Sequence, residues 1–194
     1  GIYLLLFIER MTRIFLALTP EKDLNDKIID LKKNLKKDLF EDADIAWQKN
    51  NDHHLTINFV GPMEPEQMDE MYKGISEVKL ISHLEIEITS VNFFPNEEGQ
   101  LLVSMFKPTP QLQKLFERID EVVTIIGFGS SLKNFRPHLT LGRFKDKNRP
   151  EYSLEEFSEL SIKSSVNSID VYETEFDEGK TVYSKLKSFE FSRS

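Results

Sequence analysis

The 194-residue sequence contains no cysteine, only four histidines and a single tryptophan. Without cysteine there is no disulfide framework, no thiolate zinc site and no cysteine nucleophile. A histidine-only metal site would use most of the histidines. Basic residues are the second shortage: 25 Lys and Arg stand against 33 Asp and Glu, a formal charge of −8. A groove that grips many phosphates needs net basic character, so broad coating of nucleic acid is disfavoured, while a pocket for one phosphate is not. Long apolar runs are also missing. The longest, residues 2–8, has seven residues, far short of the ~20 needed to cross a bilayer. No basic segment precedes it and no small-residue cleavage site follows, as a signal peptide would require. Residues 1–11 are expected to be a leader or upstream extension, and residues 12–194 one bilobal domain. No membrane association is expected, and without an address signal the expected compartment is the cytoplasm.

The hydrophobic content of 39% suffices for one well-packed core at this length. Residues 14–18 read as a strand, followed by Thr19-Pro20, a cap residue and a proline at a helix start. Leu24, Ile28, Leu31, Leu35 and Leu39 then form the stripe of an amphipathic helix. Its lysines, Lys32, Lys33, Lys36 and Lys37, are expected on a solvated face. Residues 45–47 and 55–60 read as strands, the latter ended by Gly61-Pro62. Met68, Met71, Tyr72 and Ile75 mark a second helix. Alternation in residues 84–89 and the return at 101–106 make a strand pair. Thr109-Pro110 opens a third helix, closed near Gly127, and residues 139–144 form another strand. A short helix near 154–157 and strands around 166–172 and 181–186 complete the chain, the last two joined by a hairpin at 177–180. Two halves share one order: strand, Thr-Pro, amphipathic helix, then a strand opening with histidine. The expected fold is α+β, a bilobal pseudo-twofold duplication in which two mostly antiparallel sheets line a central cleft with helices outside.

The chemistry resides in two tripeptides, His54-Leu55-Thr56 and His138-Leu139-Thr140. With nine threonines in the chain, one His-x-Thr among four histidines is commonplace; two, each with a leucine spacer and a Thr-Pro helix upstream, are rare. Residues two apart on a strand share a face, so each motif presents an imidazole beside a hydroxyl. Leu55, Ile57, Phe59, Leu139 and Leu141 are expected to point into the core. If the halves face one another, two imidazoles flank one cleft, an arrangement suited to in-line attack at phosphorus. A neutral histidine takes a proton from the nucleophile and a protonated one donates to the leaving oxygen. Histidine suits both roles because its unperturbed pKa of ~6.5 keeps both forms available. Threonine hydroxyls can donate to the non-bridging oxygens as charge develops. The scheme needs no metal and no cofactor.

These motifs, with residues 13–18, the Trp47 strand, residues 54–61 and residues 135–143, resemble the two-histidine (2H) phosphoesterases. Within them the RNA 2′,3′-cyclic phosphodiesterase group, historically called 2′-5′ RNA ligases, is the most similar, over about residues 12–186. The resemblance implies a bilobal α+β fold, no metal cofactor, and hydrolysis of a terminal 2′,3′-cyclic phosphate to a 2′-phosphate. The partners it implies are RNA ends or small nucleotides carrying a cyclic phosphate; no obligate protein partner is expected. It makes His54 the proton donor to the leaving 3′ oxygen, His138 the acceptor that activates water, and Thr56 and Thr140 the phosphate holders. Arg143 fits a basic slot of the family motif, and Arg136 is a further phosphate or ribose contact. Asn58 stands where that motif is more often apolar and is expected on the cleft wall. Two other readings stand beside this one: a phosphodiesterase for 2′-5′ linked oligonucleotides or another nucleotide ester, and a nucleotide-binding module without turnover.

The remaining candidates have simpler readings. Phe15 and Trp47 could floor the pocket and stack on a base, or belong to the core. Phe93 and Phe94 read as packing, and His83 as surface. His53, next to His54, faces the other way on an extended chain and reads as solvated or structural. A zinc site from His53, His54 and His138 would need adjacent residues to converge.

Overall fold

The computed structural model describes residues 1–3, 12–78, 83–132 and 135–191. The leader expected over residues 1–11 therefore lies largely outside the described residues. The described part has nine strands and three α-helices: β1 (Thr12–Leu18), α1 (Lys22–Asp38), β2 (Ile45–Trp47), β3 (Leu55–Met63), α2 (Pro65–Ser76), β4 (Leu84–Phe94), β5 (Leu101–Phe106), α3 (Pro110–Ile125), β6 (His138–Phe144), β7 (Ile162–Val166), β8 (Ser168–Asp177) and β9 (Lys180–Glu190). The α+β class is as expected. No described helix is long and apolar enough to cross a membrane.

The strands form a single sheet in the order β7-β4-β5-β6-β3-β1-β8-β9, with β2 paired to β6, where the sequence pointed to two. Every recorded pairing is antiparallel. The two expected sheets meet at a seam only one pair wide, Leu55 opposite Leu139. Hydrophobic patterning specifies which strands bury a face, yet one backbone pair suffices to merge two ladders, and patterning cannot foresee that. Outward from the seam the order is β3-β1-β8 on one side and β6-β5-β4 on the other.

The helices share one core with one face of this sheet. Leu24, Ile28, Met71, Leu112, Phe116 and Ile119 pack in the same cluster as Ile14, Leu16, Leu55, Ile57, Leu102, Leu139 and Leu141. Phe15, Ala17 and Val103 are equally buried but alternate with those residues and stand outside the cluster. They belong to the opposite, helix-free face.

Bulges decide which side chains reach that face. Ala17 pairs with Thr56 while Leu16 pairs with Asn58, so Ile57 is an extra residue; Val60 is another, between Phe59 and Gly61. In β6 the same happens: Val103 pairs with Thr140 and Leu102 with Gly142, leaving Leu141 extra. A bulge shifts the two-residue phase of a strand. Asn58 therefore turns into the buried side at 3% exposure, and Phe59 turns out at 74%. Both differ from expectation, which had Phe59 in the core and Asn58 on the cleft wall. At the matching position in β6, Gly142 admits β2: a Cβ there would stand 2.8 Å from Ile45 Cγ2.

Other local differences have equally local causes. Thr19 does not cap α1, whose N-cap is Glu21; its hydroxyl donates to Asp170 Oδ2 at 2.5 Å and meets the Tyr172 hydroxyl at 2.6 Å. Thr109 does cap its helix, accepting from Leu112 N at 3.1 Å. Lys32 is buried rather than solvated and donates to Gln48 O and Asn50 Oδ1, each at 2.7 Å. Burial lowers its pKa to about 8. β3 runs through Gly61-Pro62 to Met63, Gly61 supplying the positive φ of 100°. The strand expected around residues 166–172 is two, β7 and β8, parted at Asn167.

Candidate active site

The seam brings the two His-x-Thr motifs together. With Leu55 opposite Leu139 in antiparallel strands, His54 lies across from Thr140 and Thr56 across from His138. All four side chains are half-buried and share the helix-free face, because each flanks a leucine committed to the core. The histidines are close enough that His138 lowers the pKa of His54. Among the described residues no protein partner takes either threonine hydroxyl.

Each imidazole is fixed in the same way. His54 Nδ1 lies 2.8 Å from the Asp52 carbonyl oxygen and His138 Nδ1 lies 2.7 Å from that of Arg136. A carbonyl only accepts, so both Nδ1 atoms carry hydrogen and donate. Proton gain or loss is left to Nε2 in both rings. Burial pushes both pKa values below the ordinary histidine value, and the backbone hydrogen bonds partly offset it.

The surroundings of the two rings differ. His54 sits among aromatics, with ring centroids 4.9 Å from Phe15, 5.3 Å from Tyr183 and 6.3 Å from Tyr172. Phe15 in turn stacks on Tyr172 at 5.1 Å with planes 7° apart. Tyr183 lies on β9, three strands from His54; such contacts require the sheet to curl so that side chains converge on its concave face. His138 stacks on Phe94 at 4.0 Å, and the Arg136 guanidinium lies over the same aromatic at 4.4 Å while donating to Pro95 O at 2.8 Å. The nearby charges have opposite signs. Asp52 raises the His54 pKa against the effect of burial, whereas Arg136 lowers that of His138 further.

The loop behind His54 is braced. Gln48 Nε2 donates at 3.2 Å to the same Asp52 oxygen that anchors His54, and its side chain also bonds Tyr183. Behind this lies His53, buried at 3% exposure and donating from Nδ1 to Asn25 Oδ1 at 2.7 Å. Its Nε2 has no partner among the described residues, and desolvation with the nearby Lys32 charge lowers its pKa to about 3. His53 thus points away from His54 into the protein, and the three histidines do not converge as a zinc site would need. No cluster of three or more potential metal ligands exists among the described residues.

The other sequence candidates divide. Arg143 is exposed and pairs in register with Leu101, two residues from Val103, which pairs with Thr140; it therefore shares the face of the motifs. Arg136 reaches the same region but is held by Phe94 and Pro95. Phe15 lies under the site, in contact with His54. Trp47 does not join them: it pairs with Gly142 rather than Arg143 and packs toward core residue Phe40 at 6.3 Å. Of its two readings, base-stacking floor and core, the floor is corrected and the core one holds, since Ala46 is the β2 residue on the side of the motifs. Phe94 was read only as packing, and Gln48, Asp52, Tyr172 and Tyr183 escaped sequence reasoning. The last two lie in the C-terminal hairpin, and no spacing in the sequence ties them to either motif.

The known proteins most informative for this geometry agree with one another. An RNA 2′,3′-cyclic phosphodiesterase of Archaeoglobus fulgidus is 29% identical over 159 residues, covering 78% of this chain and 86% of its own. One from Methanocaldococcus jannaschii is 21% identical over 181 residues, covering 91% and 99%. Among solved structures, E. coli LigT complexed with 3′-AMP superposes with a TM-score of 0.77 at 18% identity, over 94% of this chain and 99% of its own; at that identity it speaks for the fold. The sequence profile of the 2′-5′ RNA ligase superfamily matches residues 14–178, a span that holds the seam, both His-x-Thr motifs and the strands flanking them. The chain belongs to that superfamily.

Proposed function

We propose that the protein hydrolyses 2′,3′-cyclic phosphates, at RNA ends or on small nucleotides, to 2′-phosphomonoesters. The reading rests on one observation above all: two imidazoles anchored alike through Nδ1, set diagonally about a one-pair seam with a threonine hydroxyl across from each. The kinship of the two halves, read as a duplication, supplies this symmetry. The relatives' names support the substrate class.

In this scheme the cyclic phosphate lies over the seam, its non-bridging oxygens taking hydrogen bonds from Thr56 and Thr140, with Arg143 contributing positive charge. His138, held neutral by burial and by Arg136, accepts a proton from water at Nε2 as the water oxygen bonds to phosphorus. The bond from phosphorus to O3′ breaks, and His54 Nε2–H protonates the leaving oxygen. The local charges support these roles, since Asp52 favours the protonated form of His54 and Arg136 the neutral form of His138. No step calls for a metal. Proton exchange with water returns both rings to their starting states.

The test is product analysis with a 2′,3′-cyclic nucleotide and a 2′-5′ linked dinucleotide, each with chelator present. The expected result is a 2′-phosphate from the cyclic substrate, undiminished by chelator. Cleavage of the dimer alone would move the assignment to a 2′-5′ phosphodiesterase. Binding without turnover would make the protein a nucleotide-binding module.

A further inference from the structure

One cation lies where α1 would ordinarily bury an apolar residue. Lys32 follows Ile28 by one helical turn and adjoins Leu31, both in the core, and is itself only 8% exposed. Burial lowers its pKa with no offset from a nearby acid. An ammonium taken out of water without a counter-ion is costly, so packing alone does not account for it. Its hydrogens go instead to one short segment, to Gln48 O and Asn50 Oδ1, each at 2.7 Å. Two turns earlier on the same face of α1, Asn25 holds that segment as well. It donates to Asn50 O at 3.0 Å and accepts from His53 Nδ1 at 2.7 Å. The helix thus grips residues 48–53 at two points, immediately ahead of the first His-x-Thr motif.

We infer that Lys32 is a positioning residue: by clamping Gln48 and Asn50 it holds the Asp52 carbonyl that orients the His54 ring. This rests on the reading under Proposed function for the work the ring performs. The path runs through Gln48. Its carbonyl accepts from Lys32, its amide nitrogen donates to Leu141 O at 2.8 Å, and its side chain donates to Asp52 O. That oxygen is the one facing His54 Nδ1. A turn within the segment, Asp52 N to Lys49 O at 2.9 Å, makes residues 49–52 one unit. Charge-assisted hydrogen bonds are roughly twice as strong as neutral ones, which is what a buried ammonium adds that a neutral donor would not. With Nδ1–H held, His54 presents Nε2 to the seam; with the carbonyl loosened, the ring can turn or change tautomer. His138 takes its anchor from Arg136, outside this clamp, and serves as an internal control.

The experiment follows both rings by nitrogen NMR of the imidazoles in the full chain, above the ordinary histidine pKa of ~6.5, where each is neutral. Lys32→Met keeps the length of the side chain and removes the charge. In that variant His54 is expected to pass from a single Nδ1–H tautomer to a mixture with Nε2–H, while His138 keeps its Nδ1–H. Its kcat on a 2′,3′-cyclic nucleotide is expected to fall by on the order of 10- to 10²-fold, the size of a small misplacement of a reacting group, with KM changed less than about twofold. Asn50→Ala, at an exposed position, removes one acceptor of the ammonium without opening the core and is expected to shift the same signal by less. Should Lys32→Met fail to fold, Asn50→Ala alone decides. An unchanged His54 tautomer in the folded variants would overturn the inference, and so would equal change in both rings, the mark of general loosening. Turnover by the wild type is measured separately. If it is absent while the variants still shift His54 alone, the proposed reaction fails and the clamp stands.

Discussion

His54 and His138 begin from the same tripeptide, the same strand position and the same Nδ1 anchor, yet they stand in different surroundings. On the β3 side the ring is walled by Phe15, Tyr172 and Tyr183, its anchoring carbonyl is braced by Gln48, and a carboxylate lies near. On the β6 side one aromatic, Phe94, backs the ring, and an arginine supplies the local charge. Two identical mounts therefore meet local charges of opposite sign, supplied by residues outside the motif. The lesson is that a symmetric pair needs asymmetric neighbours before it can divide into acid and base.

The largest effects are expected at the imidazoles. Replacing His54 or His138 with alanine is expected to lower kcat/KM on a 2′,3′-cyclic nucleotide by on the order of 10²–10⁴. Full activity in both single variants would remove the assigned roles. Thr56→Val and Thr140→Val should each cost on the order of 10²-fold in kcat, the size expected for one donor to a developing oxyanion, and unequal losses would rank the two sides.

The charges beside the rings act through pH. Since both pKa values lie below the ordinary histidine value, kcat/KM of the free enzyme should peak on the acid side of neutrality and fall at alkaline pH as His54 loses its proton. Asp52→Asn removes a charge that raises the His54 pKa, so the alkaline limb should move to lower pH. Arg136→Gln removes a charge that lowers the His138 pKa, so the acid limb should move to higher pH. If the two substitutions move the opposite limbs, the donor and acceptor labels are reversed.

A smaller effect concerns stability. His53 has a folded-state pKa of about 3 against ~6.5 unfolded. Between those values the unfolded chain binds a proton that the native protein excludes, so this contribution is fully present above pH 6.5 and lost as pH falls toward 3. Urea midpoints should therefore drop across that window. Replacing His53 with glutamine, which keeps a donor for Asn25, should flatten the drop; an unchanged slope would show that His53 does not drive it.

Much of the fold was legible in residue patterning. The leucine spacing of α1 and α3, the alternation in β4 and the turn residues at 177–180 each express one local rule, and each element formed where expected. The pairing of imidazole with hydroxyl was legible too, since it follows from the two-residue period of a strand. Phe59 left its expected place in the core, and Trp47 took the core rather than the pocket floor, because bulges and the entry of β2 beside Gly142 reset that period, and no residue pattern marks a bulge. Thr19 was misread for a related reason: Thr-Pro caps a helix at Thr109, but at Thr19 the hydroxyl is claimed by Asp170 and Tyr172, about 150 residues away in sequence.

The amino-acid sequence by itself determined the helices, most strands and the side-by-side presentation of His and Thr, because each depends on periodicity over a few residues. Only the tertiary structure decided that Leu55 meets Leu139, that Gln48 and Tyr183 close around His54, and that Phe59 rather than Trp47 faces the cleft. Those outcomes depend on register between distant strands and on desolvation by neighbours from other elements, quantities that local sequence does not encode.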